Sequence, residues 1–192
     1  YLRFDYSGHG QSSGKFEKLV FSDWLEDANF MLRNFTSGPQ VLIGSSMGGW
    51  IMLSIVKKGL FKIKSIIGLA SAPDFPYRLI WDKLKYSQKK NLIKSKSITI
   101  PSNYDNDYKI SYKFIKDSFK NLVLTESIYF SGNVFLYHGM KDKSVPYKES
   151  FLIAEQIQNA KNLKIVLEKN GEHRLSEVNE IKTILKLIEL SI

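Results

Sequence analysis

The six residues Gly44-Ser45-Ser46-Met47-Gly48-Gly49 carry the strongest chemical signal in the chain. They follow the apolar run Val41-Leu42-Ile43 and lead into Trp50-Ile51-Met52-Leu53, a pattern that reads as a strand turning sharply into a helix. So tight a turn forces its central residue, Ser46, into strained backbone angles. It lifts the hydroxyl out at a helix N-terminus, where the dipole favours developing negative charge. Gly44 and Gly48 are expected on either side because side chains there would collide across the turn. The backbone N–H of Met47 would then face an oxyanion. A bare Gly-x-Ser-x-Gly arises often by chance; the strand before it and the helix after it make it specific. A Gly-rich turn that merely packs closely would not explain a serine at the one exposed position.

A serine hydroxyl is a weak nucleophile and needs a base. The chain has three histidines. His9 lies in a Gly-rich loop and precedes Ser46, so at most it borders a site. His138 closes an apolar run beside Gly139 and reads as a structural support for the turn that follows. His173, in Asn170-Gly171-Glu172-His173-Arg174, sits between the last strand-like run and the last helical pattern, where a base reaching Ser46 is expected. The base in turn needs a carboxylate to hold its tautomer and stabilise the imidazolium. Asp142 follows His138-Gly139-Met140-Lys141 and is expected to supply it, with Asp74 in Ser71-Ala72-Pro73-Asp74 as the rival. Glu172 adjoins His173 but cannot easily fold back onto its ring. The order Ser46, Asp142, His173 along the chain is itself informative, because other serine-hydrolase folds use other orders.

Five short apolar segments, residues 2–5, 41–43, 66–70, 134–137 and 163–167, must position these groups. They are continuous runs bounded by Gly, Pro, Asn or Asp, as strands buried on both faces of a parallel sheet are. Helical patterns alternate with them. Ser22 is expected to cap a helix to about Phe35 with Trp24, Ala28, Met31, Leu32 and Phe35 on one stripe. Residues 48–58 and 147–158 form two more, and a last helix from about Ser176 places Val178, Ile181, Leu185 and Ile188 on one side. The result is an α/β open sheet, mostly parallel, with helices on both faces. Residues 74–125 break the rhythm and are too long for a simple crossover. They hold an aromatic-rich helical start, a lysine-rich stretch, a small hairpin turning at Asn103-Tyr104-Asp105-Asn106, and a further helix. The expected organisation is a core of residues 1–73 and 126–192 with a cap at 74–125. A cap would place Phe75, Tyr77, Ile80 and Trp81, with Trp50, near an apolar substrate, although core packing accounts for such residues equally well.

Composition narrows the function classes. There are 192 residues and no cysteine, which removes disulfides, thiol catalysis and Cys-ligated zinc together and suits a reducing, cytoplasmic location. No apolar run approaches the roughly 18–20 residues of a membrane span. The formal charge of +9 comes mostly from lysines spread along the chain, densest at Lys83, Lys85, Lys89, Lys90, Lys94 and Lys96. With no stacking motif or recognition helix beside that charge, a nucleic-acid partner is not expected.

Several blocks in the right order extend the signal beyond one motif: Arg3-Phe4-Asp5-Tyr6-Ser7-Gly8-His9-Gly10-Gln11-Ser12-Ser13-Gly14, Trp24-Leu25-Glu26-Asp27, Ala72-Pro73-Asp74-Phe75, Val145-Pro146 and Glu172-His173-Arg174-Leu175-Ser176. Through these the whole chain resembles the α/β-hydrolase superfamily, in particular esterases and thioesterases of the palmitoyl-protein thioesterase and acyl-glucuronide esterase type and their bacterial relatives. The resemblance implies a small-molecule or lipid-like acyl ester or thioester substrate, a cap over the site, and neither cofactor nor metal. It also exposes a departure. The superfamily's earlier strands and its His-Gly loop, which brings a second oxyanion N–H, have no counterpart here, so N-terminal strands are expected to be missing and one sheet edge unpaired. A small serine peptidase and a non-catalytic binding protein of the same fold stay open as alternatives; the oligomeric state is not legible.

Overall fold

A computed structural model describes residues 1–100 and 108–192; the expected hairpin turn at Asn103-Tyr104-Asp105-Asn106 lies outside the described residues. In chain order the elements are α1 (Phe21–Phe35), β1 (Gln40–Ser45), α2 (Met47–Lys58), β2 (Ile63–Leu69), α3 (Tyr86–Ser95), β3 (Ser97–Ile100), β4 (Tyr108–Ser111), α4 (Tyr112–Ser118), β5 (Ile128–Tyr129), β6 (Asn133–Gly139), α5 (Glu149–Gln156), β7 (Ile157–Gln158), β8 (Asn162–Glu168) and α6 (Val178–Ser191). They form two compact units, Thr36–Pro73 with Val123–Ile192, and Tyr1–Phe35 with Asp74–Leu122.

The unit that runs to the C-terminus is built on a four-stranded parallel sheet in the order β1-β2-β6-β8. Its inner strands are the two continuous apolar runs: β2 buries Ile66 and Ile67, and β6 is buried from Val134 to Gly139. The outer strands are only half-covered, and Ile43 of β1 is exposed. Helix α2 is buried from Gly49 to Val56 on every side, which its sequence Gly-Trp-Ile-Met-Leu-Ser-Ile-Val permits. It stops at Gly59, whose left-handed φ of 62° suits a residue without Cβ and lets its N–H reach Val56 O. Lys57 and Lys58 in the last turn complement the helix dipole.

Helix α6 departs from the expected stripe. Val178, Ile181 and Leu185 are exposed, whereas Leu187 packs with Ile67, Phe135, Tyr137 and Leu175, joined by Ile184 and Ile188. The helix carries two competing apolar stripes, and the one in register with the sheet wins. Its end is pinned where Ser65 Oγ of β2 donates to Ser191 O at 2.8 Å. Residues 157–158, expected to extend α5, instead form β7 beside β5.

In the other unit, α1 begins at Phe21, one residue before the expected cap. The Ser22 hydroxyl donates to Asp117 Oδ1 instead, and Asp23 Oδ2 accepts from Val20 N–H to close the first turn. Trp24, Ala28 and Leu32 are buried as the stripe predicts, but Phe35 is exposed. Residues 76–95 hold a single π-type turn (Pro76–Ile80), a 3-10 turn (Trp81–Lys83) and α3; β3 and β4 then pair antiparallel, and α4 follows. Ile80, Leu92 and Ile115 form this unit's own apolar cluster, edged by Phe75, Trp81 and Phe119. Residues 2–5 are not a strand, contrary to expectation. An apolar run becomes a strand only with a ladder partner, and no described strand pairs with it.

Candidate functional site

At the turn between β1 and α2 the backbone departs from its easy conformations. Ser46 has φ 53° and ψ −119°, a conformation that costs about 1–3 kcal/mol for a residue with a side chain. Three hydrogen bonds hold it: Ser46 N–H donates to Leu69 O at 2.9 Å, while Ser46 O accepts from Gly49 and Ala72 N–H, each at 3.0 Å. A Cβ on Gly44 would run into the Gly48 carbonyl, as expected. Gly48 is different. A Cβ there would meet nothing within 4 Å, and the crowded neighbour is Gly49, pressed against Ser71. Ser45 is exposed and Ser46 half-buried. Met47 is the first residue of α2, and the N–H groups of a helix's first turn have no partner inside the helix.

Two loops at the ends of β6 and β8 are knitted together. Met140 N–H donates to Glu168 O at 2.8 Å and Lys141 N–H to Gly171 O at 2.9 Å. Gly139 lies so close to Gly171 that a Cβ would strike its carbonyl. Leu175, in a left-handed conformation at φ 47° and 3% exposed, anchors the β8 loop in the core.

This brings Asp142 and His173 side by side. His173 Nδ1–H donates to Asp142 Oδ2 at 2.6 Å, and its Nε2 lies 3.0 Å from Ser46 Oγ, placed to accept the hydroxyl proton. The carboxylate facing Nδ1 assigns the proton to that nitrogen. Asp142 Oδ1 accepts backbone N–H from Ser144 and Val145, both at 2.8 Å. The Asp142 side chain is wholly buried and that of His173 is 15% exposed. Burial pushes the Asp142 carboxyl up, but hydrogen bonds from His138, His173 and the Val145 N–H outweigh it and hold the group well below the usual carboxylate range.

The remaining candidates have surroundings of their own. Asp74 and His9 belong to the other compact unit. Asp74 has φ 56° and accepts Tyr77 and Arg78 N–H at its carbonyl. His9 is edge-on to Tyr6, Phe16 and Trp24, and its Nδ1 lies 3.2 Å from Ser7 O. Trp50 is fully buried within α2. Sequence reasoning gave His138 only the turn that follows β6; the structure also puts its Nε2 3.2 Å from Asp142 Oδ2. The four-residue spacing is compatible with that contact but does not by itself point to it.

A parallel sheet flanked by helices, with a serine at a strained strand–helix turn, defines an α/β-hydrolase. The chain belongs to the serine aminopeptidase, S33 family (Hydrolase_4), whose model matches residues 1–121. It is 33% identical over 191 residues to mouse palmitoyl-protein thioesterase ABHD10, mitochondrial, covering 98% of this chain and 64% of that protein. The human protein of that name is 32% identical over 190 residues, covering 98% and 61%. The chain thus spans under two thirds of these curated relatives. Among solved structures, alpha/beta hydrolase domain-containing protein 10 from mouse superposes with a TM-score of 0.89 at 33% identity, covering 97% of this chain and 75% of that one. A protein from Agrobacterium vitis S4 gives 0.92 at 31% identity, covering 99% and 75%. Est1E from Butyrivibrio proteoclasticus, at 21% identity and 0.75, shares the fold.

Proposed function

We propose that this chain hydrolyses acyl esters or acyl thioesters, with Ser46 as nucleophile, His173 as general base and Asp142 as the carboxylate that orients it. The observation that carries this reading is the continuous line from Ser46 Oγ through both nitrogens of His173 to Asp142, at 3.0 and 2.6 Å. Ser46 Oγ attacks the acyl carbonyl as its proton passes to His173 Nε2. The oxyanion forms beside Met47 N–H, a contact worth on the order of 100–1000-fold in rate where such donors are removed. Collapse of the tetrahedral intermediate expels the alkoxide or thiolate, which takes the proton back from Nε2. Water, deprotonated by His173, then attacks the acyl-Ser46 ester, and the acid leaves with the serine proton restored. Asp142 stays ionised throughout, as its depressed pKa favours.

The substrate class rests on similarity to proteins named palmitoyl-protein thioesterases. We assign residues 74–125 as a module that selects the acyl group, supported by the apolar cluster of their own that they carry. No helix among the described residues is long and apolar enough to cross a membrane. A cytoplasmic location belongs to the same proposal, although the similar mouse and human proteins are named as mitochondrial.

The family's description favours a second reading, cleavage of N-terminal peptide bonds. Turnover of matched acyl thioesters, acyl esters and aminoacyl anilides separates the two. The account predicts that acyl esters or thioesters exceed the anilides in kcat/KM. The reverse order would assign the peptidase activity.

A further inference from the structure

His138 touches Asp142 yet takes no part in the proton path above. Its side chain is fully buried at the end of β6, and its polar atoms meet three partners. Nε2 lies 3.2 Å from Asp142 Oδ2 and 3.1 Å from Val145 O; Nδ1 lies 2.8 Å from Ser150 Oγ. A carboxylate and a carbonyl accept only, so both contacts at Nε2 require a hydrogen on that nitrogen. Nδ1 then accepts the Ser150 hydroxyl proton, which leaves every polar atom of the ring satisfied.

We propose that His138 is a positioning residue for Asp142, locked as its Nε2–H tautomer by Ser150. The proposal deepens the hydrolase reading and rests on it. The shared Nε2–H acts twice on the carboxylate. It donates to Oδ2, the oxygen that also accepts from His173, and it holds Val145 O, fixing the peptide stretch whose N–H binds Oδ1. With His138 on an inner strand and Ser150 in the first turn of α5, two regular elements set the carboxylate's direction from behind. His173 approaches from a loop. A carboxylate so held can swing neither to solvent nor to another donor, so His173 keeps the ring orientation that aims Nε2 at Ser46.

Two readouts test this. In protein labelled with 15N-histidine, with only three imidazoles to assign, His138 is expected to show a protonated Nε2 and a bare Nδ1, with the Nδ1 signal moving in Ser150→Ala. A bare Nε2 overturns the proposal, because such a nitrogen cannot donate to Asp142. Separately, the rate of fluorophosphonate reaction at Ser46 is compared per folded molecule, with near-UV circular dichroism reporting folding. His138→Leu is expected to slow it about 10- to 100-fold. His138→Gln, whose amide N–H reaches the position of Nε2, is expected to recover most of the loss. Wild-type speed in the Leu variant, or equal slowing in both, overturns the proposal. Should neither variant fold, the tautomer in the unaltered protein decides. Absence of any reaction in the unaltered protein counts against the hydrolase reading, while the nitrogen spectra still decide the His138–Asp142 contact.

Discussion

The turn that carries Ser46 and the loop that carries Asp142 reach the same rim of one sheet by contrasting means. At Ser46 the backbone does the positioning: a left-handed φ of 53°, three main-chain hydrogen bonds, and glycines pressed against their neighbours. At Asp142 the side chain itself is held, by two backbone N–H groups on one oxygen and two imidazoles on the other. The contrast fits what each group would do in the proposed reaction. In the proposed reaction Ser46 has to give up its hydroxyl proton to His173, so the other neighbours hold its main chain. Asp142, as the proposed orienting carboxylate, keeps its charge, so its lone pairs can be committed to donors.

Four changes test this contrast. The largest effect is expected from Asp142→Asn, which keeps the shape but gives His173 the wrong partner; the rate of serine acylation should fall on the order of 10⁴-fold with the fold retained. Single-turnover acylation measures it, and a loss under tenfold would mean that the carboxylate does not orient the base. Next comes Gly44→Ala, where the new methyl group meets the Gly48 carbonyl. Overpacking of this kind costs about 1–3 kcal/mol, and urea titration should place it there.

A third test uses acid. The Asp142 pKa is depressed in the folded chain, so its contribution is complete above the unfolded value of about 3.9 and is lost as pH falls through the lower folded value. Unfolding free energy should therefore drop below about pH 4 with a slope of up to roughly 1.4 kcal/mol per pH unit from this group. Asp142→Asn should lack that component; identical acid profiles would contradict the depressed pKa. The smallest effect is expected at Gly48→Ala, which meets open space inside a helix and should change stability by less than about 1 kcal/mol, on the favourable side. A large loss would show that Gly48, like Gly44, is sterically required.

The same contrast explains what was legible in the sequence. A backbone device leaves a local mark, so Gly44-Ser45-Ser46-Met47-Gly48 pointed to the turn, although the crowded second glycine proved to be Gly49. The positions of Asp142 and His173 followed from loop order, since strands in a parallel sheet bring their C-terminal loops to one rim. The His138–Asp142 contact was not legible, because it depends on how residues 139–145 fold back, and spacing alone does not fix that path. Residues 2–5 and α6 failed for a shared reason. An apolar run or stripe states what is able to be buried, and the partner decides what is. No described strand pairs with residues 2–5; on α6 the sheet selected Ile184, Leu187 and Ile188 over Val178, Ile181 and Leu185. Glu180, against its type, is buried because its carboxylate accepts the Glu177 N–H at 2.8 Å and closes the helix's first turn.

The proposed chemistry requires Ser46 to be an activated nucleophile. Intact-mass measurement of the purified chain after treatment with a fluorophosphonate tests it most directly, beside a Ser46→Ala control. The account predicts one adduct per molecule in the unaltered chain and none in the control. A folded chain that stays unlabelled, or a control that labels equally, would contradict it.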